Sequence, residues 1–174
     1  MADYTSNEDQ EFFAAIGRLT ISWAQIELGL DCSIDVIHRF LGGEKIAPDG
    51  APRTSLYRKT KYIRKWVRLI PEPTFFSATL KLIEEIETAA ETRHDIIHGI
   101  IIKQEEGTGE AQMVRLIHSA IRPVDKKYFA VTTVDILRAA VEAGKLGTRS
   151  LNMGTGLQDL LPVLAEIAKK PDSE

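Results

Sequence analysis

The chain has little cysteine, no long apolar run and no excess of positive charge, and each absence excludes something. Cys32 is the single cysteine in 174 residues, so no intrachain disulfide and no cysteine-based zinc site is expected. No uninterrupted apolar stretch approaches the roughly 20 residues that cross a bilayer. The opening "MADYTSNEDQ" is acidic where a secretory leader is basic and then apolar. A cytoplasmic protein without a membrane partner is therefore expected. The formal net charge of −3 argues against a uniformly basic nucleic-acid binder. "GTG" at 107–109 and 154–156 lacks the lysine and the strand-then-helix setting of a phosphate loop, and no serine sits on a nucleophile elbow. No cofactor is implied.

The composition is that of a globular chain, 44% hydrophobic and 27% charged, which suits one domain over residues 1–174. A chain of this length buries roughly 70% of its unfolded surface. Phe13, Ile16, Leu19, Trp23, Ile26, Leu30, Ile34, Ile37 and Leu41 recur every three or four residues, predicting a long amphipathic helix over 7–41. It stops at Gly42-Gly43, where a left-handed cap is easily made. Gly17 and Gly29 inside it each cost about 1 kcal/mol relative to alanine, suggesting a bend or a close helix neighbour. "GEKIAPDGAPR" reads as a loop. A helix over 54–70 and a third over 74–98 follow. The period then shortens, and "IIIKQ", "QMVRLIH" and "KYFAVT" predict a small antiparallel meander within 100–132. Thr132 with Asp135, and Thr155 with Gln158, have capping-box spacing. They predict two closing helices within 133–170, joined by a flexible "KLGTRSLNMGTG". The expected fold is mainly α, a helical bundle of about five helices with a small antiparallel β-meander inserted after the third.

Two features carry possible chemistry. Residues 53–68, the second helix and the residue before it, hold Arg53, Arg58, Lys59, Lys61, Arg64, Lys65 and Arg68 with no acid among them, seven of the chain's 22 lysines and arginines. Arg58, Lys61, Arg64, Lys65 and Arg68 fall within about 120° of arc, a single-signed face suited to phosphate. The second feature is "ETRHDIIHGI" at 91–100, where Arg93, His94, Asp95 and His98 crowd the end of the third helix. The last carbonyls of a helix carry partial negative charge and favour a protonated imidazole. His94 and His98 are one turn apart. Arg93 and His98 lie about 140° apart round the helix, so within one chain they need not touch. Glu27, on the shoulder of the first helix's apolar stripe, is a candidate partner for Arg93. A purely structural reading makes the cluster a helix end capped by Gly99, with the histidines bonded to Asp95. A His-x3-His zinc site lacks evident further ligands, and no metal is expected.

The stretch Arg93-His94-Asp95-Ile96-Ile97-His98 resembles the R-x4-6-H signature of the HEPN superfamily (higher eukaryotes and prokaryotes nucleotide-binding). The organisation of residues 10–105 is similar too, with "SWAQIELGL" in a long first helix and the motif late in another. The resemblance implies a metal-independent RNA endonuclease in which the RNA's own 2′-hydroxyl attacks and a 2′,3′-cyclic phosphate remains. It implies catalysis by Arg93, His98 and His94, the arginine holding the phosphate and His98 moving a proton. Glu27 and Asp95 would support them. The basic helix would track flanking phosphates, and a homodimer would assemble a composite arginine–histidine site. RNA is the implied substrate, with an antitoxin or other protein as a possible further partner. The alternative within the same fold is a non-catalytic dimeric module that binds RNA or protein.

Overall fold

The computed structural model describes residues 6–51, 55–70, 76–105, 109–117 and 125–167, with only the backbone described at 104–105 and 163–167. In chain order it contains α1 (Asn7–Phe40), a short 3-10 turn (Gly43–Lys45), α2 (Leu56–Val67), α3 (Ser77–His98), strands β1 (Ile100–Glu105), β2 (Glu110–Ile117) and β3 (Asp125–Thr132), and α4 (Thr133–Ile167). The mainly helical class with one small antiparallel sheet is as expected. Four α-helices are present among the described residues, rather than five. Arg53 and the "PEPT" break at 71–74 lie outside the described residues.

The correction concerns the stretch expected to be a flexible linker. Residues 145–156 lie inside α4, which runs unbroken and carries Pro162 within it. Its buried positions, Ile136, Ala140, Ala143, Leu146, Gly147, Ser150, Gly154 and Leu157, recur at helical intervals but are mostly small. Gly29 explains why. A Cβ there would lie 2.4 Å from the Ser150 carbonyl carbon, so α1 and α4 touch backbone to backbone. Tertiary packing at this crossing outweighs the poor helix propensity of glycine. The capping box proposed at Thr155 is therefore absent. The one at Thr132 is present: the Asp135 amide donates to Thr132 Oγ1 at 3.1 Å, and the Thr132 amide and hydroxyl donate to Asp135 Oδ2 at 3.2 and 2.7 Å. These bonds hold the Asp135 carboxyl below its ordinary pKa. α1 ends as its sequence predicts, with Gly42 left-handed at φ 75°.

The chain groups into two compact units, and α1, α3 and α4 each give a stretch to both. The first comprises Met1–Trp23 and Glu87–Lys145. Its core includes Phe12, Leu19, Trp23, Ile96, Met113 and Ile136. The sheet belongs to it, in the order β1-β2-β3 with both pairings antiparallel. The second comprises Ala24–Ile86 and Leu146–Glu174, with Ile26, Leu30, Ile37, Ile63, Ile83 and Ile86 at its centre. There α2 packs through Tyr62, Ile63, Trp66 and Val67, and Trp66 Nε1 donates to the Leu41 carbonyl at 3.1 Å.

Candidate functional site

The last turns of α3 place the motif in the first unit. Four of its residues divide by helical phase into two sets with different surroundings. Asp95 turns towards the sheet, where Arg115 Nη1 of β2 approaches its Oδ1 at 2.9 Å and Lys127 Nζ of β3 donates to its Oδ2. The arginine contact is an ion pair without hydrogen-bond alignment. Asp95 and Arg115 are only 14% and 15% exposed, so this clamp, absent from the sequence expectation, pins the motif helix to two strands. Glu91 stands 3.9 Å from Arg115 on the other side. The histidines do not bond Asp95 in this arrangement.

Gly99 fills a different role from the expected cap. It has no left-handed φ; instead a Cβ there would meet the Asp95 carbonyl oxygen at 2.6 Å and the Met113 methyl at 2.7 Å. The glycine lets the chain pass close under the sheet immediately after the helix ends.

Arg93, His94 and His98 converge. The Arg93 guanidinium lies over the Trp23 ring, 5.8 Å from its centroid, a geometry that attracts a cation to the ring face. From there Nη1 stands 3.4 Å from His94 Nδ1 and 3.3 Å from His98 Nε2. The two imidazole centroids are 5.2 Å apart. Arg93 and His98, which helical phase alone does not bring together, thus meet within one chain. The angular separation is real, but a long arginine side chain steadied on an indole spans it.

A guanidinium can only donate, so both facing ring nitrogens must accept. In this arrangement each imidazole is neutral, with its proton on the other nitrogen. For His94, burial first, then the positive charge of Arg93, of His98 when it carries a second proton, and of Arg115, lower the pKa below its ordinary value, while Glu91 acts the other way. Beside the rings opens a cleft of about 490 Å³, lined by His94, His98, Ile100, Arg115, Leu116 and Ile117. Half of this lining is basic and half aliphatic. Arg115, Trp23 and the aliphatic lining were not singled out from sequence, because nothing local marks residues that only tertiary structure brings to the motif. Among the described residues no group of three or more His, Cys, Asp or Glu is gathered as a metal site. No helix there is long and apolar enough to cross a membrane.

The cationic row lies in the second unit, on α2. Arg58, Lys61, Lys65 and Arg68 are exposed. Arg64 is half-buried and 3.8 Å from Glu84 of α3. Lys59 departs from the row: it is 4% exposed and bonded to Asp31 at 2.9 Å. The face is thus less purely single-signed than the sequence of α2 suggests. Tyr57, 68% exposed, sits against Lys61 with the ammonium 5.5 Å from its ring centre. Glu27 is exposed on α1, also in the second unit.

These features define a mainly helical chain with a small sheet and an arginine–histidine cleft beside it. No protein-family model, curated protein or solved structure matches the chain.

Proposed function

We propose that the cleft beside Arg93, His94 and His98 binds a phosphodiester of RNA and cleaves it without a metal. The carrying observation is the approach of one guanidinium to two imidazoles, 3.4 and 3.3 Å, at the edge of an open cleft. RNA supplies its own nucleophile, so the reaction needs a base for the 2′-hydroxyl proton, an acid for the 5′-oxygen that leaves, and positive charge at the phosphate. His98 Nε2, unprotonated where Arg93 donates to it, is suited to the base. Arg93 moves its donors from the imidazoles to the non-bridging oxygens when a phosphate enters, which frees His98 Nε2 as negative charge builds. His94 orients the strand or relays a proton. The 2′-hydroxyl proton passes to His98 Nε2, the 2′-oxygen bonds to phosphorus as the bond to the 5′-oxygen breaks, that oxygen leaves with the proton returned from His98 directly or through His94, and the product carries a 2′,3′-cyclic phosphate. The exposed α2 cations Arg58, Lys61, Lys65 and Arg68 bind backbone phosphates, with Arg64 contributing less while it is near Glu84.

A non-catalytic reading draws on one observation, the seating of Arg93 on Trp23, which a purely structural arginine would share. Incubation with a mixed RNA pool in EDTA separates the two. Arg93→Ala and His98→Ala, each folded, are expected to lose cleavage, and wild-type fragments are expected to end in cyclic phosphate. Wild-type cleavage undiminished in His98→Ala removes the proposal. Because Arg93 and His98 meet within one chain, mixing the two variants in a homodimer is expected to restore nothing. A composite site would instead return about a quarter of the activity.

A further inference from the structure

We infer that the outward face of the three-stranded sheet seats unpaired bases of the RNA strand whose backbone occupies the Arg93–His98 cleft. This rests on the RNA-cleaving reading and adds a binding surface to it.

Alternate residues of a strand point to opposite faces. On β2, Ala111 and Met113 are buried, and on β3 Val131 is buried with them; this is the inward face. Val114 and Leu116 therefore point outward. The register sets Ile100 of β1 and Tyr128 of β3 opposite Val114, and Lys126 opposite Leu116. Directly opposed side chains stand roughly 5 Å apart at Cβ, so Ile100, Val114 and Tyr128 form one row across all three strands. Ile100 is 60% exposed, Leu116 41% and Tyr128 65%. An apolar row with an aromatic at one end gains nothing from water.

Three observations favour RNA as its occupant. Ile100 and Leu116 also line the cleft with His94 and His98, so face and cleft are one continuous surface. The next outward position is Lys126, and the carboxylate that shares this face of β2, Glu110, lies four residues from Val114. An exposed tyrosine ring on a flat sheet matches any base by stacking, while aliphatic neighbours fill the space beside it. A duplex keeps its bases stacked inside and cannot use such a face.

The test uses the full chain and a short fluorescein-labelled 2′-O-methyl RNA of mixed sequence, which lacks the nucleophile and cannot be cleaved. Tyr128→Ala is expected to weaken binding about 10-fold or more, the effect of losing one stacked base. Tyr128→Phe, which keeps the ring, and Val141→Ala, a remote exposed apolar position, are expected to leave binding unchanged. The same RNA annealed to its complement is expected to bind less well. Unchanged affinity in Tyr128→Ala, or no binding by wild type, overturns the inference. So does a change in the sedimentation of RNA-free Tyr128→Ala with RNA affinity intact, which would make the face a protein interface. Weakened binding in Tyr128→Ala with no cleavage by wild type would sustain the base seat and sink the cleavage reading. Cleavage by wild type with binding and KM unmoved in Tyr128→Ala would do the reverse.

Discussion

Replacing Asp95 by asparagine tests whether the clamp between motif helix and sheet is what holds the site together. The change keeps the shape of the side chain and removes its charge. Arg115, 15% exposed, and Lys127 then both lose the negative charge between them, and the single acceptor oxygen that asparagine keeps can serve only one of them. Stripping one member from a fully buried ion pair costs about 3 to 5 kcal/mol. Here the loss is reduced, because Glu91 remains 3.9 Å from Arg115 and the Lys127 side chain is 45% exposed to water. An expected destabilisation of about 2 to 3 kcal/mol follows, between the full buried-pair cost and that of a surface pair. Urea denaturation measures it as a fall in midpoint at constant slope. Adding Arg115→Met should recover most of the loss, since the stranded charge and not the missing contact is the main penalty. An Asp95→Asn protein within about 0.5 kcal/mol of wild type, the range of an ordinary surface change, would refute the clamp. A double variant no better than the single would refute the stranded-charge argument.

Two further predictions concern the same region. Gly99→Ala places a methyl group 2.6 Å from the Asp95 carbonyl and 2.7 Å from Met113, and should cost about 1 to 3 kcal/mol as overpacking does, read by the same denaturation. His94 should titrate below the ordinary histidine value in an NMR pH series, and Arg93→Ala should move it part of the way back, burial being the larger cause. The folded state binds this proton less readily than the unfolded chain. Its contribution to stability is thus full above the unfolded pKa of about 6.5 and is lost as pH falls through 6.5 towards the folded value. A His94 that titrates normally would contradict the crowding of positive charge round it.

Long, strongly periodic segments were legible in the sequence. α1 shows itself through large apolar residues every turn, and the three strands through their change of period and β-branched content. α4 was divided in two because its buried stripe is built from alanine, glycine and serine. Hydrophobic periodicity cannot register a face whose function is close backbone approach, and only the partner, Gly29 against Ser150, gives those small residues their meaning. The same limit applied at the site. Arg93, His94 and His98 stand out because they are adjacent in sequence. Trp23, 70 positions away, and Arg115, beyond a strand, carry no local mark of belonging with them. Lys59 shows the converse error, since a lysine inside a basic run looks like surface until Asp31 appears beside it.

The geometry also changes what the motif asks of a second copy. Helical phase alone puts the arginine and the histidine 140° apart, so that within one chain they need not touch. Trp23 gives the guanidinium an apolar seat from which it reaches both imidazoles of its own chain. The seat has a chemical consequence. An arginine held by a ring face, and donating to neutral imidazoles through contacts of 3.3 and 3.4 Å, is weakly bound where it lies. A phosphate oxygen offers it a stronger, charge-assisted partner. Its departure would uncover His98 Nε2 at the moment the substrate arrives. If the proposed cleavage holds, Trp23→Ala should impair it, because the arginine would lose the position from which it makes that exchange.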